Sequence, residues 1–466
     1  MIRKIFITFF ITVFAVIAAN AQCTFERMYK YYPLNFIEPT YIISTSDGGT
    51  MSVMSCYYAP LYSSGNDIDM AIVKTDSCGN TLWQMHYGDP GLSDEASGCI
   101  ETSDGNYLVA GTTEKGSAIT NFRVVKFSKN GVVIWDSIYS GITESVCFDI
   151  TKRKNKNSAF IYGYDITSQI GNTAFILEID ENGNTLKSKE LKLRPLGYFV
   201  KLFQPNDSTY DLIKISHDTL YLVQTDTSFN IIFNKALFYT NLYYHDACIS
   251  KDKKHITISA EFTDSTSFSR ENLVTIDING VYIRRHVFTQ NDTLPGVSSI
   301  APTKDGGFLL GGYLLKVDSI FNFLNVSWYN SPRGGLNSII ELPNGSIIAS
   351  GKTGLLDTVY GEMYIIKTDS IGRYAKTAVQ EIKKGNESNL TIYPNPTTYE
   401  LHIETTGTEK LIAQLFDITG KQVLSTLSFT KSANFFTETL SQGLYFARIT
   451  DANGAVIKTQ KVAVVK

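Results

Sequence analysis

The sequence predicts an all-β chain: a seven-bladed β-propeller of four-stranded antiparallel blades, followed by a small immunoglobulin-like β-sandwich. Three observations lead there. First, an apolar run entering a tight polar turn returns seven times, as in Ala71–Thr75 before Asp76-Ser77-Cys78-Gly79-Asn80. The turns start at residues 76, 128, 180, 226, 277, 318 and 369, in steps of 52, 52, 46, 51, 41 and 51. A period of this size marks a repeat architecture. Second, Ala71–Val73, Leu314–Leu315 and Ile365–Ile366 are continuously apolar, so both faces of these strands are buried. Third, the connections are too short for crossover helices, so the sheets are antiparallel. Antiparallel sheets covered on both faces and repeated about every 50 residues are propeller blades. Tandem immunoglobulin-like domains need about twice that period.

Residues 1–21 precede the fold. Arg3 and Lys4 form a basic start, Ile5–Ala18 is uncharged and mostly apolar, and Ala19-Asn20-Ala21 is a small-x-small cleavage site. This is a secretory signal peptide with Gln22 as the first mature residue. The apolar stretch is too short to span a bilayer. Gln22 also stands where lipidation of Cys23 would require a small residue.

The propeller occupies residues 22–381. Repeat two shows its plan: strands at Gly98–Thr102, Tyr107–Gly111, Phe122–Phe127 and Val132–Tyr139, with a loop over Thr112–Thr120. Asp47-Gly48, Asp104-Gly105, Asp305-Gly306 and Asn344-Gly345 supply the positive φ of the first hairpin. Repeats three and four lack this pair, and the basic hexamer Lys152–Asn157 fills the place in repeat three as a solvated hairpin tip. Repeat six is shortened to a two-residue Gly311-Gly312 hairpin. Phe25–Tyr32 supplies the outer strand of the seventh blade and ties the chain ends together, with Tyr374–Gln380 as the competitor for that place.

Residues 382–389 read as a linker, because Lys383–Asn389 is polar throughout. Residues 390–466 form a separate all-β unit of about seven short strands, judged from turns and period-two runs. Four motifs fall in order along it: Tyr393-Pro394-Asn395-Pro396, Asp417-Ile418-Thr419-Gly420-Lys421, Gly443-Leu444-Tyr445, and the closing run from Lys461 to Lys466. This segment resembles the type A C-terminal sorting domain of type IX secretion cargo in Bacteroidetes. The resemblance implies export by the type IX machinery, removal of the domain, and release or attachment to surface lipopolysaccharide. The repeat region resembles the propeller repeats of secreted proteins, a likeness that carries no activity.

Composition excludes several classes of function. Charged residues make up 19% of the chain and hydrophobic residues 43%, which is globular. Without Arg3 and Lys4 the count is 40 basic against 45 acidic residues, a net charge of −5 from the full-chain 42 and 45. No basic stripe appears, so nucleic acid is not a partner. The six cysteines leave their pairing open. Cys99, Cys147 and Cys248 align with Ile42, Ile300 and Ile339 of other repeats, and so read as small buried hydrophobes.

Catalytic motifs are absent: no His-x-x-x-His, no Gly-x-Ser-x-Gly and no phosphate-binding glycine loop. The Asp-rich turns offer too few carboxylates for a calcium loop and read as turn caps. Asn66-Asp67-Ile68-Asp69 is the best calcium candidate, resting on Asp67 and Asp69. Trp83 and Trp135 read as blade packing. The expected function is binding of a glycan or protein ligand outside the cell or at its surface. Candidate surfaces are the loops Ala59–Asn66, Thr112–Thr120 and Lys352–Glu362 and the tyrosines Tyr57, Tyr58, Tyr62, Tyr243 and Tyr244. The competing class is a polysaccharide-active or other hydrolytic enzyme with facing carboxylates at the axis; a structural surface protein is a third.

Overall fold

A computed structural model describes residues 23–29, 34–58, 68–114, 119–139, 144–167, 171–217, 219–239, 242–263, 269–288, 297–327, 335–352, 362–373, 390–417, 421–451 and 456–466. The signal segment with its cleavage residues Ala19, Ala21 and Gln22, the strand competitor Tyr374–Gln380, and the loop cores 59–67, 115–118 and 353–361 lie outside them. The chain divides into two compact units, 1–375 and 376–466.

Among the described residues the first unit holds seven four-stranded antiparallel sheets. Their innermost strands are Leu34–Ser44, Asp94–Glu101, Glu144–Lys152, Tyr198–Phe203, Leu242–Ile249, Ile300–Pro302 and Leu336–Glu341. Each innermost strand touches the next, and the first touches the last, so the sheets form a closed ring of blades. The third strands are buried on both faces, as Thr120–Phe127 and Met363–Thr368 show. The fourth strands alternate, with one face wet, as in Thr81–Tyr87 and Val133–Tyr139. Phe25–Tyr29 pairs antiparallel with Met363–Thr368 and completes the seventh sheet, as the sequence predicts.

The recurring turn does two jobs. Its first residue organises the hairpin: Asp76 Oδ1 accepts the N–H groups of Cys78 (2.8 Å) and Asn80 (2.9 Å), and Asn80 Nδ2 donates to Oδ2 (2.7 Å). Asp180, Asp226 and Asp318 repeat this with Asn184, Asn230 and Asn322. These carboxylates cap turns, as Asp side chains do wherever backbone N–H groups converge. The turn carbonyls then accept donors from the outer strand of the preceding blade. Trp83 Nε1 donates to Lys129 O (2.8 Å), Tyr139 OH to Gly183 O (2.7 Å), Lys187 Nζ to Thr227 O (2.9 Å) and Lys235 Nζ to Asn279 O (3.4 Å). Trp83 and Trp135 are thus blade-packing residues; Trp135 Nε1 donates to Glu181 O at 3.3 Å.

The seam between the last blade and the first uses the same clasp. Tyr29 OH donates to Gly79 O (2.8 Å) and Lys367 Nζ to Ser77 O (2.9 Å). A disulfide joins Cys23 to Cys78 at this place. Gly79 has φ of +76°, and a Cβ there would meet the Phe25 ring at 2.6 Å.

Two expectations need correction. Gly311-Gly312 is not a two-residue hairpin: the strands end at Leu310 and resume at Leu314. Gly312 N–H donates to Leu336 O of the seventh blade (2.8 Å), which draws it out of its own turn. The three aligned cysteines do not share one position. Cys99 pairs with Val109, whereas Cys147 pairs with Gly163 on the far side of a bulge. Cys248 falls one residue later than the position of Cys99, measured from the bulge. A bulge inserts one unpaired residue, so a sequence alignment across it slips. All three are nonetheless buried and form no disulfide among the described residues; Cys56 is likewise buried and not disulfide-bonded, and its Sγ donates to Asp69 O at 3.4 Å.

The second unit packs a three-stranded sheet (Thr391–Tyr393, Glu400–Glu404, Ser432–Phe436) against a four-stranded one (Leu427–Phe429, Leu411–Asp417, Gly443–Asp451, Val456–Val464). Leu401, Ile403, Leu415, Ala447, Ile449 and Val462 form the centre of its core.

The disulfide yields a stability prediction. Cys78→Ser should lower stability by about 2–4 kcal/mol, and deletion of residues 22–34 should lower it further. Thermal unfolding of the two variants checks this; an unchanged midpoint in both would show that the ring closes without this seam.

Candidate functional site

Six of the seven innermost strands carry a β-bulge. Bulges bend a strand and re-aim its side chains. The residue that follows the bulge, or matches it in register, is Tyr41, Gly98, Asp149, Lys201, Asp246, Ser299 and Ser338 around the ring. All but Gly98 line an axial cavity of about 820 Å³.

Blades three to five place charge in this slot. Asp149 Oδ1 accepts the N–H of Ile150 (2.8 Å), and its Oδ2 accepts the hydroxyl of Tyr162 (3.0 Å). Lys201 Nζ donates to Asp246 Oδ1 (3.0 Å), and Asp246 Oδ2 accepts the N–H of Ile300 (3.1 Å). Gly98 makes room for this arc, because a Cβ there would lie 2.5 Å from Asp149 Oδ1. Burial raises the Asp149 carboxyl above its ordinary value, with Lys201 opposing. Burial disfavours the Lys201 ammonium, but Asp246 and Asp149 outweigh it and hold the pKa above the usual lysine value.

Aromatic rings frame the cavity. Phe148 stacks on Tyr198 at 5.3 Å between centroids, and Tyr164 lies 5.3 Å from Tyr198. Tyr243 is exposed and meets the His245 ring at 5.2 Å, while His245 Nε2 sits 3.2 Å from Glu271 Oε2. Tyr243 and Tyr244 therefore lie at the axis, not in a peripheral loop. Tyr57 and Tyr58 end the strand Thr50–Tyr58; Tyr62 lies outside the described residues.

The calcium candidate is divided: Asn66 and Asp67 lie outside the described residues, and Asp69 Oδ2 is 2.8 Å from His86 Nδ1. Among the described residues no group of three or more His, Cys, Asp or Glu is arranged to hold a metal ion. Lys152–Asn157 is an exposed hairpin tip apart from Arg153, which is half-buried and pairs with Glu178 at 2.5 Å.

In the second unit the four motifs serve one another. Asn395 Nδ2 donates to Lys461 O (2.7 Å), and Ala463 N–H donates to Asn395 Oδ1 (2.9 Å). The Tyr393–Pro396 turn is thereby zipped to the last strand. Lys421 N–H donates to Asp417 Oδ1 (3.0 Å) to close the middle hairpin, and Tyr445 OH donates to Ser441 O (2.8 Å) beside Gly443. Gly420 lies outside the described residues. Residues 391–465 are a secretion system C-terminal sorting domain. The chain is thus type IX secretion cargo: its sorting domain engages that machinery, and the β-propeller-like unit is carried to a secreted or cell-surface location. Among the described residues no helix is long and apolar enough to cross a membrane.

No curated protein matches the chain in sequence. Similar solved structures include the hydrazine synthase of Kuenenia stuttgartiensis, at 11% identity and TM-score 0.49 over 67% of this chain and 92% of that one. A polysaccharide lyase matches at 8% identity and TM-score 0.46 over 71% and 89%. NanB sialidase of Streptococcus pneumoniae matches at 12% and 0.39 over 72% and 68%. Likenesses this distant carry no functional argument.

Sequence reasoning missed Asp149, Lys201 and Asp246 as a set. The signal was a charged residue in strand one of three successive repeats, flanked by apolar residues on both sides at Asp149 and Lys201 and by His245 and Ala247 at Asp246, obscured by the bulge.

Lys201 should matter to the fold of this site. Lys201→Met leaves Asp149 and Asp246 without their cation and should cost about 1–3 kcal/mol. A carboxyl raised above its unfolded value binds protons more readily in the folded state, so its contribution to stability falls as pH rises through that window. The loss in Lys201→Met should therefore be smaller at about pH 5 than at about pH 8. Denaturant midpoints at the two pH values decide it; an equal loss would place the stabilising role of Lys201 outside this charge arc.

Proposed function

We propose that the propeller unit is a glycan-binding module, with its site at the ring axis, delivered outside the cell by the sorting domain. The observation that carries this reading is a wide axial cavity combining aromatic faces with fixed polar groups. Sugar rings present apolar faces that stack on tyrosine and hydroxyls that match such groups. Every oxygen of Asp149 and Asp246 already accepts a hydrogen bond. That arrangement suits a rigid recognition surface better than a pair of reacting groups. A hydrolytic enzyme is the second reading, and one observation favours it: burial raises the Asp149 carboxyl, as a general acid requires.

In this proposal residues 1–21 are a signal peptide cleaved before Gln22, and the sorting domain is removed on export. The propeller is then released or attached to surface lipopolysaccharide. Tyr393–Pro396 and Lys461 form the end of the sorting domain that its motifs share.

A glycan array with a parallel hydrolase screen on the secreted protein separates the two readings. Glycan retention without turnover is the expected result; polymer cleavage abolished by Asp149→Asn would replace the binding reading with the enzymatic one. Truncation after Ser388 should leave the propeller in the periplasm, measured by immunoblot of cell fractions. Normal secretion of the truncated chain would remove the sorting domain from the export route.

A further inference from the structure

We propose that the axial site selects amine-bearing saccharides, of the glucosamine type, over N-acetylated and acidic ones. The inference rests on the glycan-binding reading above and adds the ligand's charge to it. The slot residues of blades three to five bring two carboxylates and one ammonium to the cavity wall, a net charge of one negative. The remaining slot residues, Tyr41, Gly98, Ser299 and Ser338, carry none. A single uncompensated charge inside a low-dielectric channel focuses its field on whatever enters. An ammonium is drawn to that arc and to the tyrosine faces beside it, whereas a uronate is repelled.

The neutral side of the ring has hydrogen-bonding capacity left over. Ser299 lines the cavity and is only 3% exposed, and its Oγ has no partner. Within the arc itself, the buried hydroxyl of Tyr244 in blade five has none either. Unpaired polar groups at this depth are costly unless a ligand or water meets them. Ser299, in blade six, lies across the ring from Asp149 in blade order, and it suits a hydroxyl of a sugar whose amine faces the arc. Gly98 belongs to the device as a positioning residue, because its missing side chain leaves the space beside Asp149 Oδ1.

Titration calorimetry of the secreted protein with oligomers of glucosamine, N-acetylglucosamine and galacturonate tests the proposal. The expected result is that glucosamine oligomers bind about tenfold or more tighter than either of the others. Asp149→Asn and Gly98→Ala should each reduce that preference, with thermal unfolding confirming that the variants fold. Equal affinity of the unaltered protein for the amine and its N-acetyl form would overturn the amine selectivity and leave glycan binding standing. Binding of none of the three, together with an empty glycan array, would overturn both.

Discussion

The ring depends on one repeated hydrogen-bonding relation, in which the outer strand of a blade donates to the turn carbonyls of the next. Trp83, Tyr139, Lys187 and Lys235 make it with different chemistry, and the acceptor is always the same turn. The turn is fit for this because its leading side chain, Asp in most copies and Ser128 in blade two, already accepts turn N–H groups, leaving the carbonyls to face outward. Recurrence of Asp76-Ser77-Cys78-Gly79-Asn80 and its copies is therefore a property of inter-blade contact as much as of the hairpin. At the seam the chain is discontinuous, and there the clasp is reinforced by a covalent bond between Cys23 and Cys78.

Within each blade a second relation fixes the two hairpin ends. Lys74 pairs with Asp47 and Lys126 with Asp104, each at 2.8 Å, and Lys316 pairs with Asp305 at 2.7 Å. In blade three the signs are exchanged: Glu178 stands where the lysine does, and Arg153 stands in the turn. The pair survives although the Asp-Gly sequence does not. A charge-reversed pair has the same electrostatic energy, so the blade keeps its form while its sequence signature disappears.

This explains which features could be read from the sequence. Strand three and its turn were legible because both faces of the strand are buried and a side-chain oxygen caps the turn in every copy, from Asp in six and from Ser128 in one. Closure by Phe25–Tyr29 was legible because an outer strand was missing. The Cys23–Cys78 bond was not, because Cys23 lies outside the repeat and has no aligned counterpart. The axial set Asp149, Lys201 and Asp246 was hidden by the bulges: one inserted residue moves every later side chain to the other face of a naive alignment. Cys147 shows the same slip, since it matches Cys99 in spacing and not in register.

Repetition also accounts for where the molecule is free to differ. A residue in the outer clasp must fit the next blade, and a change there disturbs two sheets at once. A residue in the axial slot meets the slots beside it, as Gly98 meets Asp149 and Asp246 meets Lys201, and the seven copies are Tyr, Gly, Asp, Lys, Asp, Ser and Ser. Their order is not neutral. The charged residues occupy three successive blades, which makes one side of the channel ionic and leaves the other hydroxylic. Within that arc the sign alternates, so each carboxylate has Lys201 as its neighbour and no two like charges are adjacent. An arrangement in which like charges were adjacent, or in which one blade carried a lone unpaired ion, would be far costlier to bury. The pattern thus keeps the ring stable while still leaving it polarised across the axis, and a polarised channel orients an asymmetric ligand where a seven-fold uniform one would not.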